Sequence, residues 1–130
     1  MFLLDTNAVI HFLKGKGRIA ENLMASSPGQ VGVPSVVLYE LQVGVLKSDN
    51  PAKKQEILNR FMASMTVYPF SHEEAELAGE IRAELEKKGE PIGPYDVLIA
   101  ATALANNKIL VTNNTKEFRR VDRLQSVDWY

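Results

Sequence analysis

The feature that most constrains the fold is a series of short apolar runs separated by longer segments with helical spacing. Such runs occupy residues 2–4, 31–33 and 109–111. Runs of this length, bounded by turn residues, are typical of buried strands. Strands that alternate with helices form right-handed βαβ units around a parallel sheet. We therefore predict an α/β fold with a short central parallel sheet flanked by helices on both faces.

Capping residues and prolines predict where the other elements begin. Asn50 followed by Pro51 predicts a helix start, and Ser71 with Glu74 matches a capping box. Pro69 indicates that a third strand at 67–70 lies at an edge or ends there. A fifth strand is expected at 127–129. The predicted helices cover residues 8–13, 18–25, 35–47, 51–65, 71–88 and 94–105, and a turn is predicted at 26–29.

Length and composition exclude several classes of protein. A chain of 130 residues suits a single domain spanning 1–130. It contains no cysteine, which excludes disulfide scaffolds, thiolate zinc sites and cysteine nucleophiles. The chain start carries no basic segment typical of a signal peptide, and no run approaches the ~20 apolar residues of a membrane span. We expect a cytoplasmic protein with no membrane contact.

Three acidic residues stand where the ends of the predicted elements meet. Asp5 follows the first strand, and Asp96 lies in a first helical turn, where the helix dipole favours its ionised form. Glu40 lies between apolar neighbours on a helix, so its side chain points towards the sheet and needs a partner or a metal. Together the three carboxylates suit Mg²⁺ or Mn²⁺. A water acidified by such an ion is the nucleophile in phosphodiester hydrolysis.

Each acid also has a simpler interpretation. Asp5 alone is equally well explained as a helix cap, and Asp96 as a first-turn residue that serves the dipole. A rotated helix would place Glu40 in water. Only the coincidence of all three at one edge of the sheet favours a site.

Four stretches, in order across nearly the whole chain, carry a family resemblance. They are LDTN at 4–7, YEL at 39–41, DVLIAA at 96–101 and LVTNNTKEF at 110–118. With these the sequence resembles the PIN-domain nucleases, and more closely the VapC-type toxins of bacterial toxin–antitoxin pairs. The stretch KGEPIG at 88–93 and the close at Asp128-Trp129 are similar to the branch that cleaves initiator tRNA in its anticodon loop.

The resemblance implies a metal-dependent endoribonuclease in which Asp5, Glu40 and Asp96 bind Mg²⁺ or Mn²⁺. The family often has a fourth acid at the position of Asn114, and Glu117, one helical turn on, is the candidate to replace its charge. Thr6 and Thr112 are expected to orient the carboxylates. The implied partners are tRNA, a small VapB-type antitoxin that also binds operator DNA, and a second copy of the chain.

Charge is unevenly distributed along the chain. Residues 71–90 carry a net charge of −4, which leaves +3 for the rest of a chain whose total is −1. Basic residues follow the two strand ends that carry Asp5 and Asn114, and they are candidates to bind RNA phosphates. Those candidates are Lys14, Lys16, Arg18, Lys116, Arg119, Arg120 and Arg123.

Aromatic and apolar residues near the acids allow two kinds of role. Tyr95, beside prolines and a glycine, is the candidate to stack an unpaired base, whereas Tyr39 and Phe118 are expected to pack in the core. Apolar positions on the helices at 35–47 and 51–65 could form a dimer or antitoxin surface.

Two other functions fit a chain of this class. A phosphoacceptor receiver domain needs an Asp after the third strand, where this chain has Pro69-Phe70-Ser71, so it is disfavoured. A catalytically weak RNA- or protein-binding module of the same fold stays open because Asn114 departs from the family pattern. His11 and His72 are expected to be structural or solvated rather than catalytic.

Overall fold

The computed structural model describes residues 1–26 and 29–130, so residues 27 and 28 of the predicted turn lie outside the described part. The chain forms a five-stranded sheet whose pairings are all parallel. The strands are β1 (Phe2–Leu4), β2 (Val31–Pro34), β3 (Thr66–Tyr68), β4 (Ile109–Val111) and β5 (Ser126–Val127). Their spatial order is β3-β2-β1-β4-β5. The predicted parallel α/β architecture is confirmed.

Seven helices connect the described strands. They are α1 (Thr6–Leu13), α2 (Ile19–Met24), α3 (Ser35–Leu46), α4 (Pro51–Met62), α5 (His72–Lys87), α6 (Pro94–Ala105) and α7 (Thr115–Phe118). The single-turn helix α7 was not among the predicted elements, because four residues are too few for a periodic pattern. Helix α4 ends three residues before the predicted boundary.

Local caps place the helix starts as predicted. The Asn50 side chain accepts a hydrogen bond from the Lys53 amide at 3.2 Å, and Glu74 Oε1 accepts one from the Ser71 amide at 2.9 Å. Strand β3 lies at the sheet edge and ends at Tyr68, just before Pro69, as the proline predicted. The fifth strand covers Ser126–Val127 and not the predicted 127–129, and the Trp129 ring beyond it packs on Phe2 with ring centroids 4.7 Å apart.

The core lies on both faces of the sheet. Consecutive strand residues point to opposite faces, yet Leu3 and Leu4 of β1 are both fully buried, as are Leu110 and Val111 of β4. Both faces are therefore covered, as an all-parallel sheet requires. Among the described residues, no helix combines the length and apolar content needed to cross a bilayer.

Gly32 of β2 is required by close packing against β3. A Cβ at this position would lie 2.5 Å from Cε2 of Tyr68 and 2.7 Å from the backbone oxygen of Thr66. We expect Gly32→Ala to lower the free energy of unfolding by about 1–3 kcal/mol, because the β2–β3 pair must move apart. Urea unfolding measures this.

The matched control is Gly44→Ala, at an exposed position of α3, where an added Cβ meets no atom of the described residues within 4 Å beyond its chain neighbours and the backbone of its own helical turns. Alanine there should stabilise the protein by about 0.5–1 kcal/mol, through helix propensity. Equal stability of the two variants would contradict the packing account.

The strand order sets where a site can form. From β1 the chain adds β2 and β3 on one side and then returns to add β4 and β5 on the other. The order reverses between β1 and β4, and in open α/β sheets ligands bind outside the carboxyl ends of the strands at such a point. Asp5 lies there, with its amide bonded to the Val111 oxygen at 3.1 Å.

Candidate functional site

Asp5 is held rigidly at the start of α1. Its Oδ1 accepts a hydrogen bond from the Ala8 amide at 2.8 Å, and the Thr112 side chain also bonds to its carboxylate. Only 6% of Asp5 is exposed. Burial raises its pKa, the bonds from Thr112 and Ala8 oppose this, and the charge of Glu40 raises it further. Asp5 is thus a helix cap and also a buried acid close to a second carboxylate.

Glu40 has the partner that its position predicted. The Thr6 hydroxyl of α1 donates a hydrogen bond to Glu40 Oε1 at 2.8 Å, and the glutamate is partly buried. The bond joins α1 to α3 and leaves Oε2 available to another ligand. Thr6 and Thr112, both expected to orient carboxylates, each bond to one of the acids.

Asp96 lies in the first turn of α6, facing the other acids. Burial, followed by the charges of Asp5, Glu117 and Glu40, raises the pKa of Asp96 to about 6. The helix dipole favours the ionised form, but here burial and three neighbouring carboxylates outweigh it. The pKa of Asp96 is therefore raised and not lowered, although its ionised form still predominates at pH 7.

The segment after β4 places Glu117 near Asp96, and the charge of Glu117 raises the pKa of Asp96. Asn114 precedes α7, and its amide donates to Thr112 Oγ1 at 2.9 Å while its backbone oxygen accepts from the Phe118 amide at 3.2 Å. Thr112 therefore connects Asn114 to Asp5. Helix α7 is the element that turns Glu117 towards the site.

The oxygen donors near Asp5 are all carboxylates, amides or hydroxyls, which is the chemistry that hard metal ions prefer. Within residues 1–26 and 29–130, no three His, Cys, Asp or Glu side chains are already grouped to ligate one ion. The acids nevertheless destabilise one another's charged forms, since the pKa values of Asp5 and Asp96 are both raised by burial and by neighbouring carboxylates. A cation relieves that repulsion, and a carboxylate donor set fits hard ions such as Mg²⁺ or Mn²⁺.

The raised pKa of Asp96 gives a pH-dependent prediction. Its pKa is about 6 in the folded chain, against an ordinary 3.8. The folded chain therefore binds the proton more tightly, and without metal it loses stability as pH rises from about 4 through 6. Asp96→Asn removes this loss. At pH 7 we expect the variant to be more stable by about 1 kcal/mol, less than the full shift implies because solvent screens a half-exposed carboxyl.

Urea unfolding in EDTA, at several pH values between about 4 and 7, measures this difference. The gain should shrink steadily towards the acid end of the range, because the stability difference disappears only below the ordinary pKa of 3.8, where Asp96 is protonated in both states. A gain that is the same at every pH would contradict the assigned cause.

The predicted RNA-binding residues are exposed with one exception. Arg120 is partly buried, and its Nη1 donates to the Pro91 oxygen at 3.1 Å. It thereby ties α7 to the loop that leads into α6 and Asp96. The exposed residues are Lys14, Lys16, Arg18, Lys116, Arg119 and Arg123.

Two aromatic predictions have different outcomes. Phe118 is buried, 1% exposed, as predicted. The prediction that Tyr39 packs in the core is wrong, since Tyr39 is 53% exposed. The buried face of α3 carries Val37, Leu41 and Val45 instead. Tyr95, the predicted stacking residue, is 44% exposed.

The histidines have local partners. His11 Nδ1 donates to the Asn7 oxygen at 2.8 Å, and exposed His72 contacts Glu76 at 2.7 Å. Nothing in the sequence pattern singles out Tyr130, whose ring packs edge-on against His11 at 4.5 Å. Burial raises the pKa of Tyr130, and the charges of Asp5 and Asp128 raise it further. Its hydroxyl is therefore near Asp5, a placement that only the tertiary fold reveals.

Comparison with known proteins decides which fold family the chain belongs to. The model of the PIN domain family matches residues 2–124. The chain belongs to the PIN domain family. This confirms the predicted PIN-like fold and sets aside the receiver-domain alternative.

The relatives of this PIN domain include VapC proteins. It is 38% identical over 128 residues to "tRNA(fMet)-specific endonuclease VapC" of Shigella flexneri, covering 98% of this chain and 97% of that protein. It is 38% identical over 131 residues to "Ribonuclease VapC2" of Rickettsia felis, covering 99% and 98%. A crystal structure of VapBC2 from Rickettsia felis, bound to a promoter DNA fragment, superimposes with a TM-score of 0.93 at 37% identity, covering 99% and 98%. The predicted resemblance to VapC-type ribonucleases is confirmed.

Proposed function

We propose that this PIN domain is a metal-dependent endoribonuclease and the toxin of a type II toxin–antitoxin pair. The observation that carries the proposal is the buried Asp5, fixed by Ala8 and Thr112 at the reversal point of the sheet and close to the carboxylates of Glu40 and Asp96. A buried acid cluster of this kind is costly. A cation bound between the acids for hydrolysis would offset this energetic cost.

The proposed metal ligands are Asp5, Glu40 and Asp96, with Glu117 or the neutral Asn114 as additions. Mg²⁺ or Mn²⁺, when bound, would supply charge that offsets the negative charge on the reacting phosphate and would acidify the attacking water. The chain's own contribution is orientation. Thr6 holds Glu40 Oε1, and Thr112 holds Asp5, so neither carboxylate has to be ordered when the ion and the RNA arrive.

The proposed substrate is RNA, specifically tRNA, with cleavage of initiator tRNA in the anticodon loop. Support comes from the name of the Shigella flexneri relative, a tRNA(fMet)-specific endonuclease, and from exposed cations after the two strand ends of the site. Lys14, Lys16 and Arg18 follow α1, and Lys116 and Arg119 flank Glu117. Such a rim binds phosphates without regard to sequence. Because tRNA is found in the cytoplasm, we propose that the protein acts there.

Two protein partners are proposed. A small VapB-type antitoxin that also binds operator DNA is supported by the Rickettsia felis VapBC2 structure with promoter DNA. A homodimer is supported by Val43 and Leu46, which are 39% and 66% exposed on one face of α3. Apolar side chains exposed together are typical of protein interfaces.

The toxin role is tested by expression in bacteria. The wild-type chain, expressed alone, should arrest growth, and co-expression of its antitoxin, sought in the adjacent open reading frame, should restore it. Asp96→Asn should relieve the arrest, whereas Asp49→Asn, at an exposed position outside the acid cluster, should not. Normal growth with the wild-type chain at the same level would favour the catalytically weak binding module.

A further inference from the structure

Two tyrosines form a contact beside the acids that the proposed chemistry does not use. Tyr39 of α3 directly precedes Glu40, and Tyr95 of α6 directly precedes Asp96. Their hydroxyl oxygens lie 3.3 Å apart in a hydrogen bond, and their ring centroids are 5.7 Å apart at an interplanar angle of 63°. The pair thus bridges the two helices that carry these two acids.

The rings are exposed although they are large and partly apolar. Tyr39 is 53% exposed and Tyr95 44% exposed, and Tyr39 also forms part of the wall of an open groove of about 520 Å³ between α3, α4 and β3. Because the rings meet edge to face, their contact covers little of either ring system. Aromatic faces therefore stay open to solvent next to the site.

The contact between the hydroxyls also fixes the rings before any ligand arrives. The hydrogen bond restrains the direction in which each side chain points, and the edge-to-face packing of the rings restrains the angle between their planes. A fixed aromatic face loses little side-chain entropy when a ligand stacks on it. The hydrogen bond to Tyr39 is the largest cause that raises the pKa of Tyr95, and the charge of Glu40 adds a smaller contribution, so Glu40 lies within electrostatic range of the ring.

We propose that the Tyr39–Tyr95 pair stacks an unpaired nucleobase next to the phosphodiester held at the acid cluster, and thereby restricts cleavage to unpaired RNA. This inference rests on the proposed ribonuclease function. Every base has a face that can stack, so the pair selects for the unpaired state and not for one base. A base inside a helix is already stacked and paired, and it cannot occupy the same position.

The test uses a short unstructured oligoribonucleotide in which the wild-type cleavage position has been mapped. Tyr39→Leu and Tyr95→Leu keep apolar bulk but remove the aromatic face. Each should lower kcat/KM roughly 5- to 150-fold, mainly by raising KM, since stacking on one base has that range. Tyr→Phe at the same position should recover most of the loss, because stacking needs the ring and not the hydroxyl.

A second substrate separates stacking from a structural role. An abasic nucleotide beside the cleavage position should lower the kcat/KM of the wild-type protein by the same factor as the leucine substitution does. An abasic substrate cleaved by the leucine variant should show no further decrease in kcat/KM, because both changes remove the same interaction. If the two losses simply multiply, or if the leucine variants cleave at the wild-type rate, the stacking proposal is wrong.

Sedimentation and thermal unfolding distinguish a stacking defect from a loss of assembly or of fold. Tyr39 lies on the same helix as Val43, one turn away, so sedimentation of each variant is compared with that of the wild type. A loss of activity that follows dissociation or a lower melting temperature would overturn the stacking role. Failure of the wild-type protein to cleave any RNA overturns the ribonuclease proposal itself, whereas cleavage that ignores the abasic site overturns only the inference about the tyrosines.

Discussion

Asp5→Asn is expected to lower kcat/KM for RNA cleavage by about 10²–10³-fold while the fold stays intact, which is the range for losing one key charge-stabilising group. Asparagine keeps an oxygen that can accept the bond now made by the Ala8 amide to Oδ1, so the cap of α1 survives. What the variant loses is the negative charge, together with its share in binding the proposed cation. Cleavage of a labelled RNA under single-turnover conditions measures the effect.

Stability distinguishes a chemical defect from a folding defect in this variant. Because burial raises the pKa of Asp5, removing its charge should leave the melting temperature unchanged or higher in EDTA. Asp49→Asn is the control, since it makes the same chemical change at an exposed position and should keep full activity. An Asp5→Asn protein that cleaves RNA within about threefold of the wild-type rate would exclude a central role for this acid.

Removal of divalent metal should have an effect of similar size. Excess EDTA is expected to lower the cleavage rate at least about 100-fold, and added Mg²⁺ or Mn²⁺ should restore it, because the ion is proposed to offset charge and acidify water. Mg²⁺ should also raise the melting temperature of the wild-type protein, since a ligand that binds only the folded state stabilises it. The bound cation would stabilise the folded state by reducing the repulsion between the carboxylates around Asp96.

The matched control for metal binding is the melting temperature of Asp5→Asn, measured over the same range of Mg²⁺ concentrations. Its melting temperature should respond less to Mg²⁺, because one proposed ligand has lost its charge. The wild-type shift should also be smaller near pH 5 than near pH 8, since protons compete with the cation for Asp96, whose pKa is about 6. A melting temperature that rises equally in both proteins would indicate nonspecific salt effects.

The strands and the edge that carries the acids were predictable because they depend on local pattern. Apolar runs at 2–4, 31–33 and 109–111 fix the strands, and Asp5 directly follows one of them. The predicted need of Glu40 for a partner follows from the cost of burying a carboxylate. That partner is Thr6, 34 residues away in sequence. The sequence predicts that Thr6 orients a carboxylate, but it does not indicate which one.

Other features depend on tertiary contacts that no local pattern contains. Helix dipole arguments favoured an ionised Asp96, but its pKa reflects burial and three acids that come from other elements. Tyr39 looked like a core residue because its neighbours on α3 are apolar, and only the packed helix shows which face is buried. Arg120 stays a candidate phosphate contact, but no local pattern shows that its Nη1 also bonds to the Pro91 oxygen, 29 residues away.

Cleavage of a total tRNA pool, followed by mapping of the new ends, tests the central claim most directly. Wild-type protein, Asp5→Asn and Asp49→Asn are compared with Mg²⁺ and with EDTA. We expect new ends within unpaired loops, produced by the wild-type protein and Asp49→Asn with Mg²⁺ and by no protein with EDTA. Cleavage by Asp5→Asn at the wild-type rate, or by the wild-type protein in EDTA, would contradict a metal-dependent ribonuclease built on these acids.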